Sequence, residues 1–203
     1  MQLDTAKSAF IAIDVQNDFC PGGALAVPRG DEVVPIINSL SEKFCLCVAT
    51  QDWHPCGHVS FASSHAGAQP FADGLWPDHC IQGSRGADFH PRLMQEPYRL
   101  IVRKGFRAEL DSYSAFFEND GLTPTGLDGY LRGLGVSIVV LAGLALDYCV
   151  YYSAKDAAKL GYSVFLVRDA ARSVGAPPGS EERAMADLLS RGVAIVDSSE
   201  VIN

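Results

Sequence analysis

Short apolar runs typical of buried strands alternate along the chain with segments whose apolar residues recur at helical spacing. The pattern predicts six strands, over residues 8–14, 44–50, 98–104, 136–142, 162–167 and 193–196. It predicts helices over 31–43, 127–134, 148–160 and 180–191. Nearly continuous apolar strands separated by helices indicate a mainly parallel sheet that is covered on both faces, with right-handed crossovers.

We therefore expect an α/β protein: one three-layer α/β/α domain over residues 1–203, with a doubly wound six-stranded sheet. A chain of 203 residues can bury a full core, and no long linker rich in Ser, Pro or Gly divides it. The stretch 51–97 is irregular and rich in Gly, Pro, His and aromatic residues. Loops of that length in a compact domain are usually functional.

Composition narrows the class of partner. The formal net charge of −8 disfavours nucleic acid and anionic membranes, so we expect a small-molecule ligand, while a homo-oligomer stays open. The apolar segment 9–13 is too short for a signal or a membrane span, which predicts a soluble cytoplasmic protein with its six cysteines as thiols or metal ligands. No glycine-rich nucleotide motif follows a strand, which favours a hydrolase over a dehydrogenase.

The clearest chemical feature is Cys149, which the pattern places in the first turn of a helix directly after the strand at 136–142. Unpaired backbone N–H groups and the helix dipole at such a position favour a thiolate and can hold an oxyanion. Asp147 is the expected N-cap. The alternative is a cysteine that is simply packed and inert.

Two further charged residues end strands at the same edge of the predicted sheet. Asp14 closes the first strand and Lys104 closes the third. A structural ion pair between them is one interpretation. A second interpretation is catalytic, with the three groups Cys149, Asp14 and Lys104 acting as nucleophile, base and charge stabiliser. It is favoured because all three residues are expected at the same edge of the sheet.

All five histidines fall in the irregular stretch 51–97. Asp52 and His54, two residues apart, can form an open divalent-metal site with a distant histidine, and His79 is best placed because Trp76 and Pro77 stiffen its surroundings. The remaining histidines are expected to be solvated or bonded to backbone carbonyls: His58, His65 and His90. A closed structural zinc site is the rival, with donors Cys56, Cys80, His54 and His58, but its spacing is poor.

Taken together, these segments resemble the nicotinamidases of the isochorismatase-like hydrolase superfamily. The resemblance rests on eight segments in order along nearly the whole chain: 14–27, 50–55, 60–62, 75–80, 86–91, 104–105, 111–116 and 143–150.

This resemblance implies that the chain hydrolyses nicotinamide to nicotinate and ammonia, with Cys149 as nucleophile, Asp14 as proton carrier and Lys104 holding the pair. It also implies a divalent metal, with zinc first and iron or manganese as alternatives. By the same resemblance, Asp52, His54 and His79 are the implied metal ligands. Phe19 and Trp76 are implied to flank the ring of the aromatic amide. The resemblance also implies a cis peptide bond between Leu144 and Ala145, and an oxyanion hole formed by the N–H groups of Ala145 and Cys149.

Some questions stay open at this point. Leu146 stands where the family often has threonine, and Ser60 stands where some relatives have a further ligand or a water-holding group. Pyrazinamide is a related aromatic amide that the chain is expected to accept. The competing functions are another amidase or ureido-hydrolase of the superfamily, acting without metal, and a non-catalytic metal-binding protein on this fold.

Overall fold

The computed structural model describes residues 4–202 and confirms the doubly wound parallel sheet. The strands are β1 Ser8–Ile13, β2 Cys47–Asp52, β3 Tyr98–Lys104, β4 Ile138–Leu144, β5 Ser163–Arg172 and β6 Ala194–Val196. All the strand pairings are parallel, and the order across the sheet is β3-β2-β1-β4-β5-β6. The order therefore reverses between β1 and β4, and ligands bind at such switch points.

Helices cover both faces of the sheet. They are α1 Val33–Ser41, α2 Leu127–Gly133, α3 Tyr151–Lys159, α4 Ser180–Ser190 and α5 Ser198–Ile202. Alternate residues of β1 divide the core: Phe10 packs in one apolar cluster with α1, and Ile11 packs in the other with α2, α3 and α4. None of the helices among the described residues combines the length and apolarity needed to cross a membrane.

Several element boundaries differ from the sequence-based expectation. Strand β2 continues to Asp52 because this residue still pairs with Lys104 of β3. Strand β5 continues to Arg172, since after a register shift it pairs again with Leu144, and its polar residues had hidden this extension. Helix α5 was not expected at all, and its five residues are too few to show a helical period.

A close approach at the switch point requires glycine at position 143. Gly143 has φ 128°, and a β-carbon there would collide with the backbone of Ile13, to which it is paired across β1 and β4. Close contact of these strands sets the residues that follow each of them, Asp14 and the turn beginning at Ala145, side by side.

Candidate active site

The carboxyl ends of three strands bring the predicted trio together. Nζ of Lys104, the last residue of β3, lies 2.8 Å from Oδ2 of Asp14 and 3.5 Å from Sγ of Cys149. The same ammonium donates a hydrogen bond to the carbonyl oxygen of Ser112 at 3.0 Å. All three members of the trio are buried, so their charges interact in a medium that screens weakly.

Asp14 is held in a rarely adopted backbone conformation. Its φ of 47° lies in the left-handed region, and its N–H donates to Oγ1 of Thr50 at 3.1 Å. The Thr50 hydroxyl in turn donates to Oδ1 of Asp14 at 2.5 Å. Oδ2 has its ion-pair contact with Lys104 but no aligned hydrogen-bond donor among the described residues. This oxygen is therefore free to accept the proton of a neighbouring thiol.

Burial dominates the acid–base properties of the trio. It raises the pKa of Asp14 above its ordinary value, with Lys104 opposing the shift. It also raises the pKa of Cys149 well above the usual range, again against Lys104. Burial would lower the pKa of Lys104, but the charges of Asp14 and Asp52 outweigh it and raise that pKa. The direction of this shift favours the protonated thiol, whereas the sequence-based expectation was a thiolate, so a neighbouring base that takes the proton becomes part of the hypothesis.

Three residues supply ligand atoms that face a common point. Nε2 of His54 lies 3.6 Å from Oδ2 of Asp52, and Nε2 of His79 lies 3.8 Å from the same oxygen. Ligands at tetrahedral zinc are about 3.3 Å apart for bond lengths near 2.0–2.1 Å, so these two separations exceed the value at a bound ion by only a few tenths of an ångström. The Nδ1 atoms are each held at 2.8 Å by a backbone carbonyl, that of Gly105 for His54 and that of Pro77 for His79. Such carbonyls fix the ring orientation of metal-binding histidines.

The charge of Asp52 also suits a cation. Burial would raise its pKa, but Lys104 and His54 outweigh that effect and hold the pKa well below the usual range. Lys104 contacts Oδ1 of Asp52, which leaves Oδ2 directed at the two imidazoles. The donor set of one ionised carboxylate and two buried imidazoles therefore fits a divalent metal.

Side chains just after β1 hold both metal-ligand segments. Gln16 accepts a hydrogen bond from the N–H of Asp52 at 2.8 Å and donates to its carbonyl at 2.9 Å. Asp18 accepts from the N–H of Cys80, the neighbour of His79, at 2.7 Å. Gly86 leaves room for the Asp18 carboxylate, with which a β-carbon would collide. These contacts explain why polar residues such as Gln16 and Asp18 stand in the matched segment 14–27.

A small cavity lies between Cys149 of the trio and the three candidate ligands. Its lining includes Phe19, Trp76 and Ala145 together with Cys149 and His79, so both residues expected to flank the ring line the cavity, and their contact with a ring stays a prediction. The indole N–H of Trp76 donates to the hydroxyl of Tyr113 at 3.0 Å. The cavity volume is about 20 Å³, the space of roughly one or two waters.

A larger cavity elsewhere lacks this combination of groups. It measures about 470 Å³, is open, and lies between residues 17–23 and 85–91. Its cysteine, Cys20, has a pKa raised to about 11 by burial. None of the groups of potential metal donors among residues 4–202 lies there. We therefore assign the candidate active site to the smaller cavity.

Several lining residues received no role from the sequence, among them Asp111 and Tyr148. The signal for Asp111 was present, because it opens the matched segment 111–116. Tyr148 faces Trp76 edge to face, with ring centroids 4.8 Å apart. A tyrosine beside a cysteine in a helical pattern looks like ordinary packing, so only the tertiary contact identifies it.

The structure corrects the expected role of Asp147. The turn before α3 is π-helical, over Leu146–Val150, and begins without a side-chain cap. Asp147 instead accepts hydrogen bonds from the N–H groups of Val174 and Gly175, both at 2.9 Å, and from the hydroxyl of Ser180. Its carboxylate ties the segment after β5 to the active-site turn. The peptide between Leu144 and Ala145 is cis, as the resemblance implied.

The remaining histidines differ from one another. His65 and His90 are not buried, and His65 bonds the carbonyl of Val59 as expected. His58 is fully buried, so solvation is wrong for it, whereas its Nε2 faces a backbone carbonyl as expected, that of Leu110 at 3.4 Å. Its Nδ1 lies 2.7 Å from Oγ of Ser60, and its ring lies 4.2 Å from that of His54. Ser60 thus supports His58, and the exposed Cys56 belongs to none of the donor groups among the described residues.

Comparison with known proteins agrees with this architecture. The family described as Isochorismatase domain matches residues 8–200. A curated nicotinamidase of Acinetobacter baylyi is 44% identical over 96% of this chain and 94% of its own length.

Solved structures agree as well. One is a nicotinamidase/pyrazinamidase of Acinetobacter baumanii, with TM-score 0.95, 44% identity and coverage of 98% of this chain and 100% of the other. A second is the PnC1 protein of L. infantum in complex with nicotinate, with TM-score 0.89, 39% identity and coverage of 98% and 96%. A third is a pyrazinamidase of Pyrococcus horikoshii in complex with zinc, with TM-score 0.80, 40% identity and coverage of 94% and 99%.

The fold and the matched domain define the class, which is that of the isochorismatase-domain hydrolases. Identity of 44% over nearly the full length of both chains then narrows the assignment. Within that class, the chain belongs to the nicotinamidase family.

Proposed function

We propose that this protein hydrolyses nicotinamide to nicotinate and ammonia through a thioester on Cys149. The observation that carries the proposal is the position of Lys104, whose ammonium contacts Asp14, Cys149 and Asp52 at once. The buried ammonium of Lys104 therefore contacts the proposed nucleophile, the proposed base and one of the three candidate metal ligands. The nicotinamidase relatives, and the relative in complex with nicotinate, support the choice of substrate.

In the first half of the reaction, Sγ of Cys149 attacks the carboxamide carbon while its proton passes to Oδ2 of Asp14. The raised pKa of Asp14, caused by burial, makes this carboxylate a stronger base than a solvated one. The N–H groups of Ala145 and Cys149, at the start of the helical turn, stabilise the oxyanion. Asp14 then returns the proton to the departing nitrogen, the C–N bond breaks, and ammonia leaves with the thioester formed.

In the second half, Asp14 accepts a proton from a water molecule as that water attacks the thioester carbon. The C–S bond breaks, the proton held by Asp14 returns to Sγ of Cys149, and the acid product leaves as nicotinate after its remaining proton passes to solvent. The charges of Asp14 and Asp52 raise the pKa of Lys104 and favour its charged form. Its role is to lower the cost of negative charge on two adjacent acidic groups.

A divalent ion would be held by Asp52, His54 and His79, whose donor atoms lie within 4.8 Å of one another. When bound, the ion supplies a Lewis acid that receives the pyridine nitrogen. We propose zinc, which the pyrazinamidase relative holds, with iron and manganese as alternatives that this donor set also accepts. Phe19 and Trp76 flank the ring, and the proposal extends to pyrazinamide.

We place this reaction in pyridine-nucleotide salvage in the cytoplasm. The cysteines of the described residues are all free thiols, which suits a reducing compartment. The acidic chain is expected to bind neither nucleic acid nor anionic membranes.

The deciding experiment measures ammonia and nicotinate release when the purified protein is supplied with nicotinamide. We expect equal amounts of both products, and none from Cys149→Ala. A ureido compound supplied in parallel tests the rival amidase activity. Turnover of the ureido compound without metal, and none of nicotinamide, would overturn the proposal.

A further inference from the structure

One acidic side chain of the candidate site has no part in the proposed mechanism. Asp111 is half-buried between β3 and α2 and lines the cavity with Cys149, His54 and His79. Its carboxylate and ring nitrogens of His54 and His58 lie within 4.8 Å of one another. This half-buried carboxylate lies beside the candidate metal donors, where it can accept a hydrogen bond from a group bound to the ion.

The local backbone holds this carboxylate in place. Oδ1 of Asp111 accepts a hydrogen bond from the N–H of Ser112 at 2.8 Å, and the carbonyl of Asp111 accepts from the N–H of Asn119 at 2.8 Å. Lys104 donates to the carbonyl of Ser112 and anchors the same segment to the catalytic trio. Within residues 4–202, no group donates a hydrogen bond to Oδ2 of Asp111 at hydrogen-bond distance. That oxygen is available to a ligand.

Distances separate Asp111 from the direct metal donors. Asp52, His54 and His79 form one group of donor atoms, and Asp111 belongs to another that shares only His54. Asp111 is therefore not a fourth protein ligand of an ion at the first group. An ion with three protein ligands completes its coordination with water or substrate, and carboxylates just beyond the ligands commonly orient such groups.

The neighbouring His58 has no free ring nitrogen with which to orient a water or substrate at the ion. Both of its ring nitrogens already face protein oxygens, Nδ1 that of the Ser60 hydroxyl at 2.7 Å and Nε2 that of the Leu110 carbonyl at 3.4 Å. Its ring packs against His54 and supports it. Asp111 is thus the member of the second group with an open acceptor.

We propose that Asp111 is a positioning residue for the metal site, accepting a hydrogen bond from a water ligand of the divalent ion. By holding this water, Asp111 strengthens retention of the ion and orients the coordination position that remains for substrate. The inference rests on the proposed function only in taking a divalent ion to be bound at Asp52, His54 and His79.

Metal affinity tests this inference without any turnover. Asp111→Asn keeps an acceptor for Ser112 but removes the charge, and Asp111→Ser removes the carboxylate altogether. Glu109→Gln is the matched control, because it makes the same charge change in the same loop at an exposed residue. Competition with a chromophoric chelator for Zn²⁺ should show affinity about 10–100-fold weaker for both Asp111 variants and unchanged for Glu109→Gln. The visible spectrum of bound Co²⁺ should shift in the Asp111 variants alone.

Far-UV circular dichroism of the metal-free proteins checks that each variant is folded. If either folded Asp111 variant binds Zn²⁺ as tightly as Glu109→Gln does, the inference is overturned. A higher KM for nicotinamide at unchanged metal affinity would assign Asp111 to substrate instead and would also overturn it. Absence of nicotinamide hydrolysis by the wild type, with the affinity difference intact, would contradict the proposed function alone.

Discussion

Lys104 illustrates how a single residue depends on its surroundings for its chemistry. It is among the largest fully buried side chains of the protein, and a lysine in that position is normally disfavoured. Asp14 and Asp52 supply the opposite charges that keep it ionised. Removing either carboxylate would leave an unbalanced buried charge, so the pair and the lysine act as one unit.

Cys149→Ala should abolish product formation while the fold remains. A buried thiol replaced by a methyl group is a small steric change, yet the thioester cannot form without sulfur. We expect a loss of at least about 10³-fold in ammonia release. Cys56→Ser, at an exposed cysteine, is the control and should retain full activity. Near-normal turnover by Cys149→Ala would rule out covalent catalysis by this residue.

Asp14→Asn should be about as damaging, because it removes the proton carrier with little change of shape. The expected loss is again on the order of 10³-fold, measured as nicotinate release under saturating metal. If Asp14→Asn turns over while Cys149→Ala does not, another base must serve the thiol. His58 would be tested next.

Alkylation by iodoacetamide reports the protonation state of Cys149. A raised pKa means a smaller thiolate fraction at neutral pH than for an ordinary cysteine, so this residue should react slowly. Cys45 and Cys56 are exposed and should be labelled first, as peptide mapping by mass spectrometry will show. Labelling of Cys149 should accelerate as pH rises. Rapid labelling at pH 7 would instead indicate a lowered pKa.

At the scale of secondary structure, the carboxyl ends of the strands set the positions of the active-site side chains. Strands β1, β3 and β4 end at one edge of the sheet, which brings together residues about 135 positions apart in the chain, from Asp14 to Cys149. This convergence was predictable from the apolar runs, because parallel strands share the direction of their carboxyl ends. The hydrogen bonds of Asp147 were not predictable, since they reach a segment after β5 whose path the pattern does not define.

Gly105→Ala tests the connection between strand β3 and the metal site. Gly105 has φ 64°, and a β-carbon there would lie 2.7 Å from Nδ1 of His54. The carbonyl of Gly105 is also the group that holds the His54 ring through this nitrogen. The substitution should displace His54 and weaken Zn²⁺ binding at least about tenfold. Gly121→Ala carries a similar positive φ in open space and is the control for backbone strain. Equal metal affinity in both variants would contradict this account.

At the scale of the whole molecule, the residues of the apolar core are distinct from the candidate metal ligands, so we expect the core to stabilise the fold without the metal. The two apolar clusters lie on opposite faces of the sheet and contain none of the three candidate ligands. A chain of this length can fold on its core alone. We expect one domain over residues 1–203, and that expectation stays a prediction.

Chelation should therefore remove activity without unfolding the protein. EDTA is expected to suppress nicotinamide hydrolysis while the far-UV circular dichroism stays native, and added Zn²⁺ should restore turnover. His79→Ala should lose metal and activity together, whereas Cys56→Ser should change neither. Unfolding of the metal-free protein, with metal loss in Cys56→Ser, would reveal a structural zinc site in place of the open one.

The sequence by itself determined the parallel sheet, the approximate positions of its strands and the residue types near their carboxyl ends. Apolar runs and their spacing carry that information locally, and the ordered segments of the family resemblance carried the identity of Asp14, Lys104, Cys149 and the three candidate ligands. Only the tertiary structure gave the direction of the pKa shift of Cys149, because burial and neighbouring charges set that pKa. It alone decided the place of Tyr148 against Trp76, since contacts between distant segments leave no local pattern in the chain.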